Sequence, residues 1–175
     1  MAPHAVLARF DELPPCEEQT LCGRWSGAEI HTGHPLDGAL ANVSWYGKQF
    51  DSATEVHPLL VADSGGNPFP LDPTLVPMVL ITHPVSTPDI VKDIAPKLMT
   101  LLRPVAQARR HGARLEQIRH RGVRTVSMVY NDRPIIDVFR AIDNNTVLGC
   151  MEYPGMPRPH FYLLQRDQQG ANHVQ

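Results

Sequence analysis

Five strand-length runs in the C-terminal half limit the fold most tightly. From Ala113 onward, apolar and polar residues alternate with a period of two, as in strands with one buried face. Turn-forming stretches such as Asn-Asp-Arg at 131–133 separate the runs. The runs are Ala113–His120, Gly122–Tyr130, Pro134–Ile142, Thr146–Tyr153 and His160–Arg166. Their spacing predicts an antiparallel meander.

The N-terminal half adds two or three strands to this meander. Gly23–Ile30 and Thr54–Ala62 have strand-like patterns, and Asp-Ser-Gly-Gly at 63–66 is a hairpin signal. Between them, a turn at 32–35 precedes a predicted short helical piece from Leu36 to Val43. Seven or eight strands are enough to roll up and remove exposed edges. We predict a mainly β, antiparallel barrel with one or two short helices covering an end or a face.

Proline positions shape the remaining segments. The chain has 17 prolines, roughly twice the average usage of about 5%. Four of them fall in Asn67–Pro77, which is therefore predicted to lack regular structure and to wrap over the surface. Thr87 and Pro88 are a good helix start, followed by apolar residues at helical spacing. We expect Pro96 to kink or split this helix and Pro104 to end it.

The length of 175 residues fits one domain with its own apolar core. We assign that domain to 21–167, with a polar tail at 168–175. Residues 1–20 are expected to form an N-terminal arm, either poorly ordered or a short helix.

Charge and cysteine content exclude several classes of protein. The net charge of −2 gives no general reason to bind nucleic acid or an anionic membrane. The arginines between 109 and 124 lack interleaved aromatic residues, so a solvated strand face is the simpler interpretation. Three cysteines without a Cys-x-x-Cys pair, and no signal-length apolar run, favour a cytoplasmic protein. A homodimer is one option that the sequence leaves open.

An ordered series of motifs runs through most of residues 21–166. The series begins with G-R-W-S-G and resembles the uncharacterised GXWXG family. This resemblance implies a compact lipocalin-like barrel with a cavity for a small molecule, and it implies no known reaction. The motifs lie at Gly23–Gly27, Thr32–Gly38, Trp45–Phe50, Arg121–Gly122, Tyr130–Asp137 and Asp143–Gly149.

Asp137 is the most informative polar residue in these motifs. Strand alternation places it on one face with Ile135 and Phe139, whereas Val138 and Arg140 share the opposite face. A carboxylate between apolar neighbours is costly to bury unless it is paired, hydrogen-bonded or protonated.

Two interpretations of Asp137 stay open. In the functional one, Asp137 is a general acid or base, with His34 or His57 as the second titrating group. In that interpretation, Lys48, Arg121 or Tyr130 would stabilise a developing oxyanion. In the structural interpretation, Asp137 forms a buried ion pair with Arg121 or Lys48 that fixes strand register. His34 is also placed to cap the short helical piece, and His57 to hydrogen-bond a neighbouring loop.

Aromatic and apolar residues are candidates for the wall of the cavity. Ordinary core packing explains the same residues, and it is the preferred role for Trp25 and Cys150. We predict no metal site, since His31-x-x-His34 lacks a third ligand at a suitable spacing, and no cofactor. The candidate ligand-binding residues are Trp45, Tyr46, Phe50, Met128, Ile135 and Phe139.

These patterns favour a small enzyme that uses no cofactor. Acid/base chemistry such as cyclisation, lactonisation or isomerisation of a hydrophobic, natural-product-like molecule would need only a shaped pocket and one proton-transfer pair. The alternative is a non-catalytic carrier or sensor of a small hydrophobic ligand. A protein-interaction module that docks through Asn67–Pro77 is a third class, which would apply if no cavity existed.

Overall fold

The structure, a computed structural model, describes residues 2–76 and 89–167, with only the backbone for 89–92. Three α-helices are present in this part of the chain: α1 (Pro3–Glu12), α2 (Glu18–Leu21) and α3 (Asp89–Ala106). The strands are β1 (Gly23–Glu29), β2 (Trp45–Phe50), β3 (Val56–Ala62), β4 (Pro68–Pro70), β5 (Ala113–His120), β6 (Val123–Tyr130), β7 (Ile136–Asp143), β8 (Thr146–Glu152) and β9 (His160–Arg166).

The nine strands form one antiparallel sheet, which confirms the predicted mainly β class. Their order is β2-β1-β9-β8-β7-β6-β5-β3-β4, and β2 also pairs with β3. This last pairing closes the eight strands other than β4 into a ring. The seam between β3 and β5 is thin, with one paired position, Val56 with Ala113.

The predicted meander from β5 to β9 is confirmed. Strands β5 and β9 have the predicted bounds, while β7 starts two residues later than expected. Pro134 has no N–H to donate to a ladder, so the pairing begins beyond it. The predicted alternation in β7 is also confirmed, because Phe139 packs inside the ring and Val138 packs outside it.

The prediction that Asn67–Pro77 lacks regular structure is wrong for its described part. Pro68–Pro70 is a short strand paired with β3, and its central residue Phe69 is buried. Proline is tolerated there because β4 is an edge strand that needs few donors. Pro73–Leu75 forms a 3₁₀ turn capped by the side chain of Asp72. Pro77 lies outside the described residues.

Helix α3 also differs from its prediction. It runs through both Pro96 and Pro104 to Ala106, instead of splitting at the first and ending at the second. Met99 and Ala106 bury against Phe69 and its neighbours, and this packing outweighs the hydrogen bonds that the prolines remove. The expected cap, Thr87 with Pro88, lies outside the described residues.

The N-terminal arm and the piece at 36–43 are the last two segments with a predicted structure. The N-terminal arm contains the helix α1, whose Val6 and Phe10 are buried against the outside of the ring. The expected helical piece at Leu36–Val43 is mostly turn, with a single 3₁₀ turn at Ala41–Val43.

Within residues 2–76 and 89–167, no helix has both the length and the apolar character that a membrane crossing requires.

Candidate functional site

A cavity of about 290 Å³ opens inside the ring of strands. Its volume is near the lower end of the range of ligand pockets, roughly 300–1,000 Å³. Most of its lining is apolar, which suits a small hydrophobic molecule. The polar members of the lining are Asn42, Lys48, Tyr130, Arg133, His160 and Tyr162.

Two glycines make room for the aromatic walls of the cavity. A Cβ atom at Gly27 would lie 2.1 Å from the Trp45 ring, and one at Gly149 would lie 2.3 Å from the Tyr162 ring. Both distances are far shorter than a van der Waals contact. The second glycine of the G-x-W-x-G motif therefore sets the position of Trp45, and Gly149 does the same for its cross-strand partner Tyr162.

A buried ion pair lies at the inner end of the cavity. Lys48 Nζ is 2.8 Å from Asp137 Oδ2, and both side chains are almost fully buried. Lys48 also donates a hydrogen bond to the Pro58 carbonyl, and Tyr162 donates its hydroxyl hydrogen to Asp137 Oδ2 at 2.8 Å. Asp137 itself does not line the cavity, so it acts on the cavity through Lys48 and Tyr162.

Three aromatic rings surround the Lys48 ammonium. Its Nζ is 5.0 Å from the ring centre of Tyr162 and 5.9 Å from those of Trp45 and Tyr130, all within cation–π range. Burial, followed by the negative charge of Asp137, raises the pKa of both tyrosines well above the ordinary value. Both tyrosines therefore remain protonated. Since Tyr162 donates its hydrogen to Asp137, the cavity presents the Lys48 ammonium together with one phenolic donor, Tyr130.

His160 provides a neutral imidazole at the same cavity. Burial, followed by the neighbouring His34, lowers its pKa to about 4. Neither ring nitrogen makes a hydrogen bond within the described residues; the nearest carboxylates are Glu29, at 3.6 Å from Nε2, and Asp37, at 3.9 Å from Nδ1. Burial raises the pKa of Glu29. His160 can therefore accept a proton or a hydrogen bond.

The structure brings several of the sequence candidates together. Lys48, Tyr130, Trp45 and Ile135 line the cavity, and Asp137 lies directly behind Lys48. Of the two interpretations of Asp137, the ion pair with Lys48 is present, and it faces the cavity.

Other candidates lie elsewhere, because their side chains have different partners. His34 accepts the N–H of Leu36 at Nδ1, the capping role considered for it, and its Nε2 contacts the Arg158 carbonyl. His57 stacks near His111 on the outer face. Tyr46 donates to Asp167 at 2.5 Å.

Arg121 does not reach the cavity or Asp137, contrary to expectation. It occupies the turn between β5 and β6 with a φ of 49° and makes a bidentate pair with Asp11 of α1. Its side chain is 42% exposed. A left-handed turn residue points away from the sheet, so Arg121 joins the helix to the turn.

Three apolar candidates belong to the core of the ring. Phe50 and Phe139 pack edge to face with centroids 5.8 Å apart, and Met128 lies in the same cluster as Trp25. Within the described chain none of the three lines the cavity. Trp25 donates to the Leu21 carbonyl at 2.7 Å, the single partner that its indole needs.

His160, Tyr162 and Arg133 were missed as candidates from the sequence. Alternation along β9 contained a usable signal, because His160, Tyr162 and Leu164 share one face. Arg133 lies in the turn before β7 and donates to three carbonyls, those of Pro73, Thr74 and Val76. No local pattern predicts such contacts.

Two groups of side chains bring donor atoms close enough to hold one metal ion. They are Asp51, His57 and His111, and His120, Cys150 and Glu152. The prediction of no metal site rested on short sequence spacings, and these groups are assembled from distant segments.

Comparison with known proteins agrees with the motif series. The family model described as GXWXG protein matches residues 8–66, and one described as a domain of unknown function, DUF4334, matches 111–166. The chain belongs to the GXWXG-type proteins. The two matches cover different parts of the ring: β1 to β3 fall in the GXWXG match and β5 to β9 in the DUF4334 match.

A solved structure of a protein from Thermomonospora curvata has the same fold as this GXWXG-type chain. The TM-score is 0.71 at 24% identity, over 96% of this chain and 89% of the other. A comparison with functionally curated proteins gives no match.

Proposed function

We propose that this GXWXG-type protein is a cofactor-independent enzyme that performs acid/base chemistry on a small hydrophobic carbonyl compound. The ring of strands would act as a lipocalin-like barrel that encloses the substrate. The observation that carries the proposal is the Lys48–Asp137–Tyr162 group, a buried charge pair with a hydrogen-bonded tyrosine, placed against a mostly apolar cavity.

Lys48 and Tyr130 would stabilise negative charge. A carbonyl oxygen seated near Lys48 Nζ would gain charge as a neighbouring C–H bond breaks, and a preorganised ammonium in a dry site stabilises that charge strongly. Tyr130, whose hydroxyl stays protonated, is a second donor on the cavity wall. His160, neutral and on the same wall, would accept the proton and return it to another carbon or oxygen.

Asp137 is a positioning residue in this scheme. Because it does not line the cavity, it acts by holding the Lys48 ammonium and the Tyr162 hydroxyl in fixed directions. Removal and return of one proton completes an isomerisation and begins a cyclisation, whereas a lactonisation would also expel the acyl leaving group, which is water for a free acid. The substrate would be a natural-product-like molecule with a carbonyl group.

The setting proposed for this activity is the cytoplasm. Cys16, Cys22 and Cys150 are all unbridged, as a reducing compartment would allow. The proposed partner is the small hydrophobic molecule, without nucleic acid or membrane, and a homodimer is compatible with the scheme.

One observation favours a second candidate, a carrier or sensor. Lys48 and Asp137 neutralise each other's charge, and apolar side chains form most of the wall. A pocket of this kind can retain an apolar ligand without transforming it.

Binding and exchange measured together separate the two functions. Cyclic and terpenoid ketones would be tested first for displacement of the uncharged fluorophore N-phenyl-1-naphthylamine, then for deuterium uptake at carbons next to the carbonyl in D₂O. An enzyme binds ketones and accelerates the uptake; a carrier binds them and leaves the uptake at the buffer rate. Lys48→Met should abolish the acceleration, while His4→Gln, an exposed site on α1, should retain it.

A further inference from the structure

A second polar cluster lies on the outer face of the ring, away from the cavity. Asp51 directly follows β2, His57 is in β3, and His111 comes two residues before β5. His57 is paired across the strands with Gln49, and the adjacent Val56 packs inside the ring. The sheet therefore brings together three metal-ligating side chains from positions up to 60 residues apart.

Their donor atoms are close together. One ligand atom from each of the three side chains lies within 4.8 Å of the other two. His111 Nε2 is 3.2 Å from Asp51 Oδ2, and the rings of His57 and His111 lie 4.3 Å apart, tilted by 38°. The side chains of Asp51 and His111 are 38% and 31% exposed, which leaves them room to rotate towards a common ion.

The surroundings of the cluster suit metal ligands. His57 Nδ1 is buried and has no hydrogen-bond partner within the described residues. Such an imidazole nitrogen is available as a metal ligand. Gln49 donates to Asp51 Oδ1 at 2.8 Å. Outer contacts of this kind orient ligands.

We propose that Asp51, His57 and His111 bind one divalent transition-metal ion of the Zn²⁺ class. Two imidazole nitrogens and one carboxylate oxygen are a three-ligand set that leaves a fourth position to water. Ca²⁺ and Mg²⁺ prefer sites made of oxygen alone. A nitrogen-rich set selects zinc and its transition-metal neighbours instead.

The position of the site indicates a role for the ion. Strands β3 and β5 share only the pair Val56 with Ala113, the thin seam of the ring. His57 follows Val56 and His111 precedes Ala113, so in this antiparallel pairing both lie at the same end of the pair, one on each side of the seam. A shared ion would therefore clamp the seam shut from outside. The cluster would then stabilise the ring without taking part in the chemistry of the cavity.

The other group of potential ligands is less suited to this ion. Burial strongly raises the pKa of the Cys150 thiol, and zinc binds the thiolate. Arg140 also donates to the carbonyl of His120, which places a fixed positive charge beside that group. The group of His120, Cys150 and Glu152 is the alternative metal site that the experiment must distinguish from the proposed one.

The test uses the full chain without a polyhistidine tag, after treatment with a chelator. Zn²⁺ is titrated by calorimetry, Co²⁺ is followed by visible absorption, and thermal unfolding is recorded with and without Zn²⁺. We expect one ion per chain, a raised unfolding temperature and cobalt bands without a thiolate charge-transfer band. His57→Gln and His111→Gln should each weaken binding by at least the roughly 10–100-fold that loss of an outer-shell partner produces.

Matched controls make every outcome decisive. His4→Gln and Cys150→Ser should bind Zn²⁺ as the wild type does. Two histidine variants are used so that a folding defect in one does not block the test, and each is checked by circular dichroism. Absence of saturable Zn²⁺ binding to the wild type would overturn the proposal, and so would unchanged binding in both folded histidine variants or loss of binding in Cys150→Ser.

Discussion

Strand β7 carries two fully buried charged side chains, Asp137 and Arg140, which point to opposite faces of the sheet. Inside the ring, Asp137 has the Lys48 ammonium at 2.8 Å and the Tyr162 hydroxyl at the same distance. Outside the ring, Arg140 lies 5.2 Å from the centre of the Phe10 ring and donates to the carbonyl of His120 at 3.4 Å.

The two faces differ in whether the buried charge has an opposite charge beside it. The inner charge has a full opposite charge, a neutral donor and a cavity beside it. Within the described residues, Arg140 has no carboxylate within ion-pair distance, and its Nε and Nη1 make no hydrogen bond. Under the proposed function, the inner charge pair acts on a ligand in the cavity, whereas Arg140 packs against Phe10 of helix α1.

The largest expected effect comes from breaking the inner pair. Lys48→Met leaves the Asp137 carboxylate buried without its opposite charge, so we expect the free energy of unfolding to fall by about 3–5 kcal/mol. Adding Asp137→Leu should recover much of this loss, because an apolar pair has no charge to desolvate. Urea unfolding measures both variants. A loss below about 1 kcal/mol for Lys48→Met would show that the pair is not truly buried.

A slightly smaller effect should follow from acid. His160 has a pKa of about 4 in the fold against 6.5 when unperturbed, so the unfolded chain takes up its proton first as the pH falls. Stability from this group is complete above pH 6.5 and declines as the pH drops towards 4, by up to about 3 kcal/mol. Glu29, whose pKa is raised by burial, acts in the opposite direction.

The comparison of wild type with His160→Gln isolates the histidine. Both proteins keep Glu29, so the wild type should lose more stability than the variant between pH 6.5 and 4. Equal losses, measured by urea unfolding at several pH values, would mean that His160 titrates as it does in the unfolded chain.

Tyr162→Phe tests the neutral donor on the inner face. It removes one hydrogen bond to a buried carboxylate and keeps the ring that packs against Trp45. Hydrogen bonds to charged groups contribute about 1.5–3 kcal/mol, and we expect a loss in that range. The matched control is Tyr46→Phe. The partner of Tyr46, Asp167, also binds Arg24, so this variant should lose less stability. An equal loss in both variants would contradict the special position of Tyr162.

The smallest effect is expected on the outer face. Arg140→Met removes a buried charge that leaves no opposite charge behind, and Met can fill the space against Phe10. We expect a change within about 1 kcal/mol, because relief of desolvation offsets the lost contacts. Urea unfolding beside Lys48→Met gives the contrast directly, and a loss as large as that of Lys48→Met would remove the distinction between the faces.

The sequence predicted those features that depend on local pattern. The period of two located β5 to β9, and in β7 it assigned Asp137 and Arg140 to opposite faces. The motif series then indicated the family, and Lys48 was correctly considered as a partner of Asp137. These results follow because strand alternation and turn residues are encoded within a few positions.

Features that depend on tertiary packing could not be predicted. Buried contacts carry α3 through Pro96 and Pro104, and edge position admits Pro68 and Pro70 into a strand. The neutral state of His160 depends on burial beside His34, a residue far away in the chain. Arg121 was misassigned for the same reason, since its partner Asp11 belongs to a helix 110 residues earlier.

The most direct test of the distinction between the two faces is the rate of deuterium uptake by a ketone that the cavity binds, measured by NMR in D₂O for wild type, Lys48→Met and Arg140→Met. We predict uptake well above the buffer rate for wild type and Arg140→Met, and uptake at the buffer rate for folded Lys48→Met. Equal acceleration in all three proteins would contradict a role for Lys48, and uptake at the buffer rate in the wild type, with the ketone bound, would identify a carrier.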